Sequence, residues 1–520
     1  MTINYLPNDP LAANPALTTT AAAADRSATQ TRFVVTGLPP QRVYPVGTDD
    51  FVAWQSREAA FRTLDVFESI CGPLSGWIGR PARKTMNLVP IAGNDINAYY
   101  DRGSISFFQA QVGATKVYSG ASSDVVAHEA GHAILDALRP DLWNANMIEI
   151  GAFHEGFGDC MAIMLALSDR ETRRALLAGG ASIDRANFVE ATAEELSDAI
   201  RRGVGPNHNA AAPRRARNNF QWALPQTLPA NGGPGTLIRE EHSLGQLVSG
   251  VYYDLISLIF SAGASNEADL WRACRVATSL IVHAARQATI VPRFLESWGR
   301  TMLVVDQGRF GGANAASIKA AFARHGLAVS AAGFLAPQAP LSNAGGRRRP
   351  PRRSGARVAP AVRQRLREML RVDPAAKLQL RELDIGAGAV VEVASSLEVD
   401  LSGLSESLRN VVANVPRPVL VGDTRGAAAV LGAVQPSMLY SIEVRDFVAT
   451  LVDHGVIAFA GDEPGGAKKT RGVATGARKG AGLVAGPGAK THRVSGGRGQ
   501  PTLERISFAC GCACRRHGDG

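Results

Sequence analysis

Residues 124–134 read Asp-Val-Val-Ala-His-Glu-Ala-Gly-His-Ala-Ile. Two histidines four apart on a helix project from one face, so His128 and His132 are placed to share one metal ion. Neutral imidazole is a favoured zinc ligand, and Glu129 between them is positioned to act as a base toward water activated there. Ser122 or Ser123 can cap the helix, and Pro140 stops it. The pattern predicts a helix over 123–138 that carries a metal centre.

At 520 residues the chain has room for two or three domains, one of them with a large core. Its apolar content is that of an ordinary globular protein, and no run approaches the roughly 18 apolar residues of a membrane span. The net charge of +10 is local. Arg347, Arg348, Arg349, Arg352, Arg353 and Arg357 form one cluster. Lys468, Lys469, Arg471, Arg478, Lys479, Lys490, Arg493 and Arg498 form a second, and neither contains an acid. The basic character is therefore assigned to linkers rather than to a folded binding face. Nucleic-acid binding is disfavoured because no aromatic residues interleave these charges for base stacking. Cys71, Cys160 and Cys274 are scattered singles, which argues against a disulfide framework and fits a reducing compartment. Cys510, Cys512 and Cys514 crowd at the C-terminal end, where closely spaced thiolates would suit a soft metal or redox chemistry. The first 30 residues lack a basic region followed by an apolar one. The expectation is a cytoplasmic protein, or one exported by a specialised route.

Composition and periodicity divide the chain into five parts. Residues 1–30 are expected to be disordered. Residues 31–336 form an α+β domain, strand-rich before 120 and helical from 123 onward, with an insertion at 168–239 that reads as a disordered loop or a lid. An Arg/Pro linker covers 337–356, and a small α/β domain of unassigned role covers 357–461. A Gly/Lys/Arg-rich tail, 462–520, is expected to be disordered up to its Cys-rich end.

Zinc needs a third protein ligand, with water in the fourth position of a catalytic site. Leu135 and Leu138 stand where a metzincin would carry Gly and His, so that arrangement fails. The better source is Glu155-Gly156-Phe157-Gly158-Asp159, whose two carboxylates share one helix face. Glu155 is the candidate ligand, in competition with Glu149 and His154. Asp159 is the candidate acceptor for the far N–H of a ligand histidine. Cys160, Tyr252 and Tyr253 read as core residues.

His-Glu-x-x-His followed by Glu-x-x-x-Asp resembles the gluzincin metallopeptidases, both thermolysin-like and fungalysin-like. The Glu-Gly-Phe-Gly-Asp block is similar to the fungalysin block Glu-Gly-Trp-Ser-Asp. Asn97-Ala98-Tyr99-Tyr100, with 104–108, resembles the edge strand on which these enzymes align a substrate peptide. The stretch 241–247 resembles the fungalysin His-Ala-Ile-Gly block. The resemblance covers about 90–325 and implies a two-lobed thermolysin-like catalytic domain. It also implies a single zinc held by His128, His132 and Glu155, and a zinc endopeptidase activity. In that reading Glu129 is the general base and His242 the donor to the oxyanion. Asn97, Ala98 and Tyr100 hold the substrate strand, and peptide or protein is the substrate. No tyrosine between His132 and Glu155 matches the auxiliary donor of thermolysin-like enzymes, and calcium sites are not assignable. Two rival readings are a catalytically inactive, zinc-stabilised binding module and a basic-tailed protein associated with nucleic acid.

Overall fold

The computed structural model describes residues 2–12, 17–180, 183–330, 337–341, 358–384, 390–424, 427–432, 434–459, 490–496 and 499–509. Thr2–Tyr5 (β1) and Thr18–Ala21 (β2) pair as an antiparallel hairpin. Ile3 and Tyr5 are buried, and Gln55 exchanges side-chain hydrogen bonds with the backbone of Leu6. Alternation of Thr2 and Asn4 with buried Ile3 and Tyr5 thus orders a stretch whose composition suggested disorder.

Arg32–Val35 (β3) leads into helix Asp49–Cys71 (α1), which Thr48 caps through the N–H of Phe51. Thr85–Val89 (β4), Ala98–Tyr100 (β5) and Ser104–Phe107 (β6) follow, then the hairpin of Gln109–Val112 (β7) and Thr115–Tyr118 (β8). The main sheet of this half places β3, β4, β6 and β5 side by side, β3–β4 and β4–β6 parallel and β6–β5 antiparallel. That leaves β5 with one edge open to a further strand.

Helices Ser123–Leu138 (α2) and Ile148–Ser168 (α3) come next. Arg170–Leu177 (α4), Ala191–Thr192 (β9), Glu194–Gly203 (α5) and Arg214–Arg215 (β10) then fill the insertion. Its described residues are folded rather than loose. Strands β9 and β10 pair, and buried Glu190 binds both the Arg215 side chain and the N–H of Arg217. Glu241–Ser261 (α6), Glu267–Gln287 (α7), Phe294–Phe310 (α8) and Ala315–Arg324 (α9) complete the helical half. Helices α3 and α6 are long and apolar enough to cross a membrane by length and composition, yet both are buried in the protein interior. Phe153, Phe157, Leu247, Val251, Tyr252 and Tyr253 lie in that core, as do Cys160 and Cys274. Helix and sheet together make an α+β fold.

Beyond residue 357, a helix at Pro360–Leu370 lays Val362, Leu366 and Leu370 on Val393, Val419, Val421 and Val430 of a second sheet. The long strands Val390–Asp400 and Val412–Thr424 pair antiparallel through this sheet. Helix Ser437–Asp453 turns Tyr440, Val444, Phe447 and Val448 into the same core as the helical half. Arg239 bonds Asp446 at 3.1 Å, and Arg381 bonds the carbonyls of Arg286 and Ala288. This part of the chain therefore packs firmly on the first.

The tail departs most from its composition. The segment 460–489 lies outside the described residues, but His492–Ser495 and Thr502–Arg505 form an antiparallel pair within the second sheet. Lys490, counted above among linker charges, donates to the carbonyls of Gly455 and Ile457. Phe508–Ala509 then pairs antiparallel with β5 and becomes the fifth strand of the first sheet. Buried His492, Leu503 and Phe508 order this stretch despite its many glycines. The Arg347–Arg353 cluster, Arg357 and Cys510, Cys512 and Cys514 lie outside the described residues.

Candidate metal centre and its surroundings

Helix α2 begins at Ser122, whose hydroxyl accepts the N–H of Val125, and its second and third turns present His128 and His132. Helix α3 runs against it and presents Glu155. Donor atoms of these three residues lie within 4.8 Å of one another, and all three are buried. His128 Nε2 is 3.2 Å from Glu155 Oε2, and His132 Nε2 is 3.7 Å from Glu155 Oε1. Of the rival third ligands, Glu149 is engaged elsewhere by Trp222 Nε1 and the N–H of Leu295. His154 turns its Nδ1 to that of His132, at 3.4 Å.

Two helices reach this proximity through glycine. A Cβ on Gly158 would stand 2.6 Å from His128 Nδ1, and one on Gly131 would stand 2.9 Å from the Cα of Gly158. The same holds between α3 and α6, where a Cβ on Gly156 would meet the carbonyl oxygen of Gly245 at 2.4 Å. Any larger residue would push the ligand-bearing helices apart.

The donor set suits zinc. Two imidazoles and a carboxylate are a known catalytic ligand class, and Nε2 of buried His132 has no hydrogen-bond partner. Asp159 lies 2.9 Å from His128 Nδ1, which fixes the ring with Nε2 toward Glu155. Burial alone would raise the Asp159 carboxyl, but Arg214 and then His128 hold it well below the usual carboxylate range. Arg214 comes from β10 in the insertion and binds Asp159 Oδ1 at 2.8 Å. Burial, reinforced by neighbouring His128 and His154, holds His132 well below its usual value and therefore neutral.

Glu129 is fully buried, and neither of its carboxylate oxygens has a hydrogen-bond partner. Burial raises it to about 8. His242, in the first turn of α6, brings Nε2 to 3.2 Å from Glu155 Oε2. Its Nδ1 is 2.6 Å from Glu240, the capping residue of the same helix. Burial would lower His242, but the carboxylates of Glu155 and Glu240 outweigh it and raise the ring to about 10. The ring is thus an imidazolium at neutral pH, with both N–H groups available to donate. A cleft opens beside it, walled by Arg214, Glu240, Gln246, Asn209 and Pro213.

The structure therefore brings His128, Glu129, His132, Glu155, Asp159 and His242 together. Of the edge-strand candidates, Ala98 is buried in β5, and Asn97 Oδ1 accepts the N–H of Ala98. Tyr100 offers only its backbone to the edge. Its ring is buried, and its hydroxyl donates to Asp136 on α2 at 2.9 Å. Arg214 and Glu240 escaped the sequence reading. Arg214 lies in a stretch with no recognisable pattern, whereas Glu240, two residues ahead of His242, could have been found by asking what would orient that ring.

A second acidic group, buried Asp9 and Asp124 with half-buried Glu194, joins the N-terminal segment to α2 and α5. Its donor atoms also lie within 4.8 Å of one another.

No curated protein matches the chain. Residues 101–331, just under half of its length, match the model of the fungalysin metallopeptidase family (M36), a match that supports a fungalysin-like zinc metallopeptidase.

Proposed function

We propose that the protein is a zinc-dependent endopeptidase, with His128, His132 and Glu155 as its metal ligands. The observation that carries this is Glu129, a buried carboxylate with no partner beside a three-residue ligand cage. A purely structural metal site has no use for such a base. Zinc, when bound, supplies Lewis acidity, which lowers the pKa of water and polarises a carbonyl.

Glu129 removes the proton of the attacking water and delivers it to the departing amine. Burial raises its pKa, which strengthens the carboxylate as a proton acceptor. His242 donates from Nε2 to the oxygen of the tetrahedral carbon, while Glu240 holds its Nδ1–H. The edge of β5 on which Phe508–Ala509 lies aligns the peptide by strand addition, through the backbone of Ala98–Tyr100 with Asn97 beside it.

Metal content and casein cleavage, measured side by side for wild type and Glu129→Gln, test this reading. About one zinc per chain in both, with cleavage only by wild type and lost to a chelator, is expected. Undiminished cleavage by Glu129→Gln would overturn the mechanism. Bound zinc with no cleavage by wild type would favour an inactive, zinc-stabilised binding module.

A further inference from the structure

The edge of β5, free in the order β3-β4-β6-β5, is covered by the chain's own Phe508–Ala509. The pairing is antiparallel, with Phe508 opposite Tyr100 and Ala509 opposite Tyr99. The Phe508 ring stacks on His132 at 4.7 Å and on His154 at 4.2 Å, with interplanar angles of 16° and 18°. Trp143 meets it edge-on. The carbonyl oxygen of Ala509 accepts from His242 Nε2 at 2.8 Å, and that same nitrogen lies 3.2 Å from Glu155 Oε2. A main-chain carbonyl of this protein thus sits beside the ligand cage, bonded to the group assigned above to the oxyanion. The next peptide bond is Ala509–Cys510.

The segment is delivered there by several independent anchors. Arg505 pairs with Glu241 and lies over the Phe508 ring, 4.0 Å from its centroid. The Arg505 carbonyl accepts from Trp143 Nε1 at 2.8 Å, and its N–H donates to Asn144 at 3.0 Å. Ile506 donates to the carbonyl of Thr491. A strand fixed along its length and ending at the cage has the geometry of a bound substrate rather than of a loose end.

We propose that this segment is an intramolecular substrate, and that the protein cleaves its own Ala509–Cys510 bond. The inference rests on the endopeptidase reading above. Water oxygen adds to the Ala509 carbonyl carbon, with its proton passing to Glu129. The C–N bond then breaks, and the proton goes to the Cys510 nitrogen. Ala509 is left as a carboxylate, and the segment beginning Cys510-Gly511-Cys512-Ala513-Cys514 leaves with a new amino terminus. Until that happens the segment blocks the strand edge against other peptides. Its residues also define the preferred substrate: an aromatic side chain at the second residue before the cut, stacked on His132 and His154, and a small residue immediately before the cut.

The test compares zinc-loaded full-length wild type, Glu129→Gln and Cys510→Pro. Intact mass, casein cleavage and hydrogen exchange over 98–100 are the readouts. Wild type is expected to convert to a chain ending at Ala509, at a rate independent of protein concentration, while both variants keep their full mass. In Glu129→Gln, with or without metal, strand 98–100 should exchange slowly, and adding Phe508→Asp should speed that exchange at least ten-fold. Wild type that cleaves casein yet keeps its full mass would overturn the inference and leave the peptidase reading standing. Cleavage of neither casein nor the tail would overturn both. Exchange over 98–100 indifferent to Phe508→Asp would show that the segment does not hold the edge.

Discussion

Arg214 and His128 meet at one oxygen of Asp159: Arg214 Nη2 lies 2.8 Å from Oδ1, and His128 Nδ1 lies 2.9 Å from the same atom. The insertion at 168–239 therefore takes part in the orientation of a ligand ring through a chain of two contacts. Arg214→Leu should lower zinc affinity by about 10- to 100-fold, the usual scale for losing support behind a ligand histidine. Competition against a chelator of known affinity measures it, and unchanged affinity would reduce Arg214 to a packing role.

His242→Ala should lower kcat by roughly 100- to 1,000-fold with zinc content unchanged, because the donor acts on charge that develops only in the transition state. Glu240→Gln should cost less, since the ring keeps a hydrogen-bond partner at Nδ1. Steady-state kinetics on an unstructured peptide separates the two. A fall confined to KM would refute the oxyanion role.

Gly158→Ala places a methyl group where His128 Nδ1 stands 2.6 Å away. Overpacking of this kind typically costs about 1–3 kcal/mol. The variant should fold with a lower Tm and bind zinc at least ten-fold more weakly. Normal zinc binding would mean that α2 and α3 can separate without loss of the cage.

Asp9, Asp124 and Glu194 make stability depend on pH. Burial raises Asp9 to about 6 and Glu194 to about 7, and burial together with neighbouring carboxylates holds Asp124 well above its usual range. In the folded protein these groups keep protons that the unfolded chain has already released. Their favourable contribution is complete below about pH 4 and is lost as pH rises through 6 and 7. Tm should fall between pH 5 and pH 8. Asp9→Asn should flatten that fall, because its Oδ1 keeps the bonds to Leu11 and Glu195 while Oδ2, which has no partner, is replaced by a donor. An equal slope in wild type and variant would remove Asp9 from the account.

Local signals made much of this fold legible. Helical spacing with a capping serine predicts 123–138, and α2 spans Ser123–Leu138. The helical character expected from 123 onward includes α7, Glu267–Gln287. The cage was legible for the same reason, since each of its members sits at a fixed offset on a periodic element. What escaped depends on distant pairing. Composition assigned residues after 462 to a disordered tail, yet Phe508 is ordered by stacking on His132 and His154, far away in sequence. Arg214 is held by β9–β10, a pair of two-residue strands too short to leave a period. Tyr100 is a substrate-strand candidate by resemblance, and its hydroxyl is committed to Asp136, which leaves its backbone for that role.

The bare glycine contacts between α2, α3 and α6 also have a mechanical meaning. Where backbone meets ring or backbone without an intervening side chain, there is no rotamer to flip and no methylene to absorb a displacement. The separation between the helices that carry His128 and Glu155 is then governed by main-chain atoms. The cage is as stiff as the helices themselves, and a metal entering it meets a gauge already set to one size.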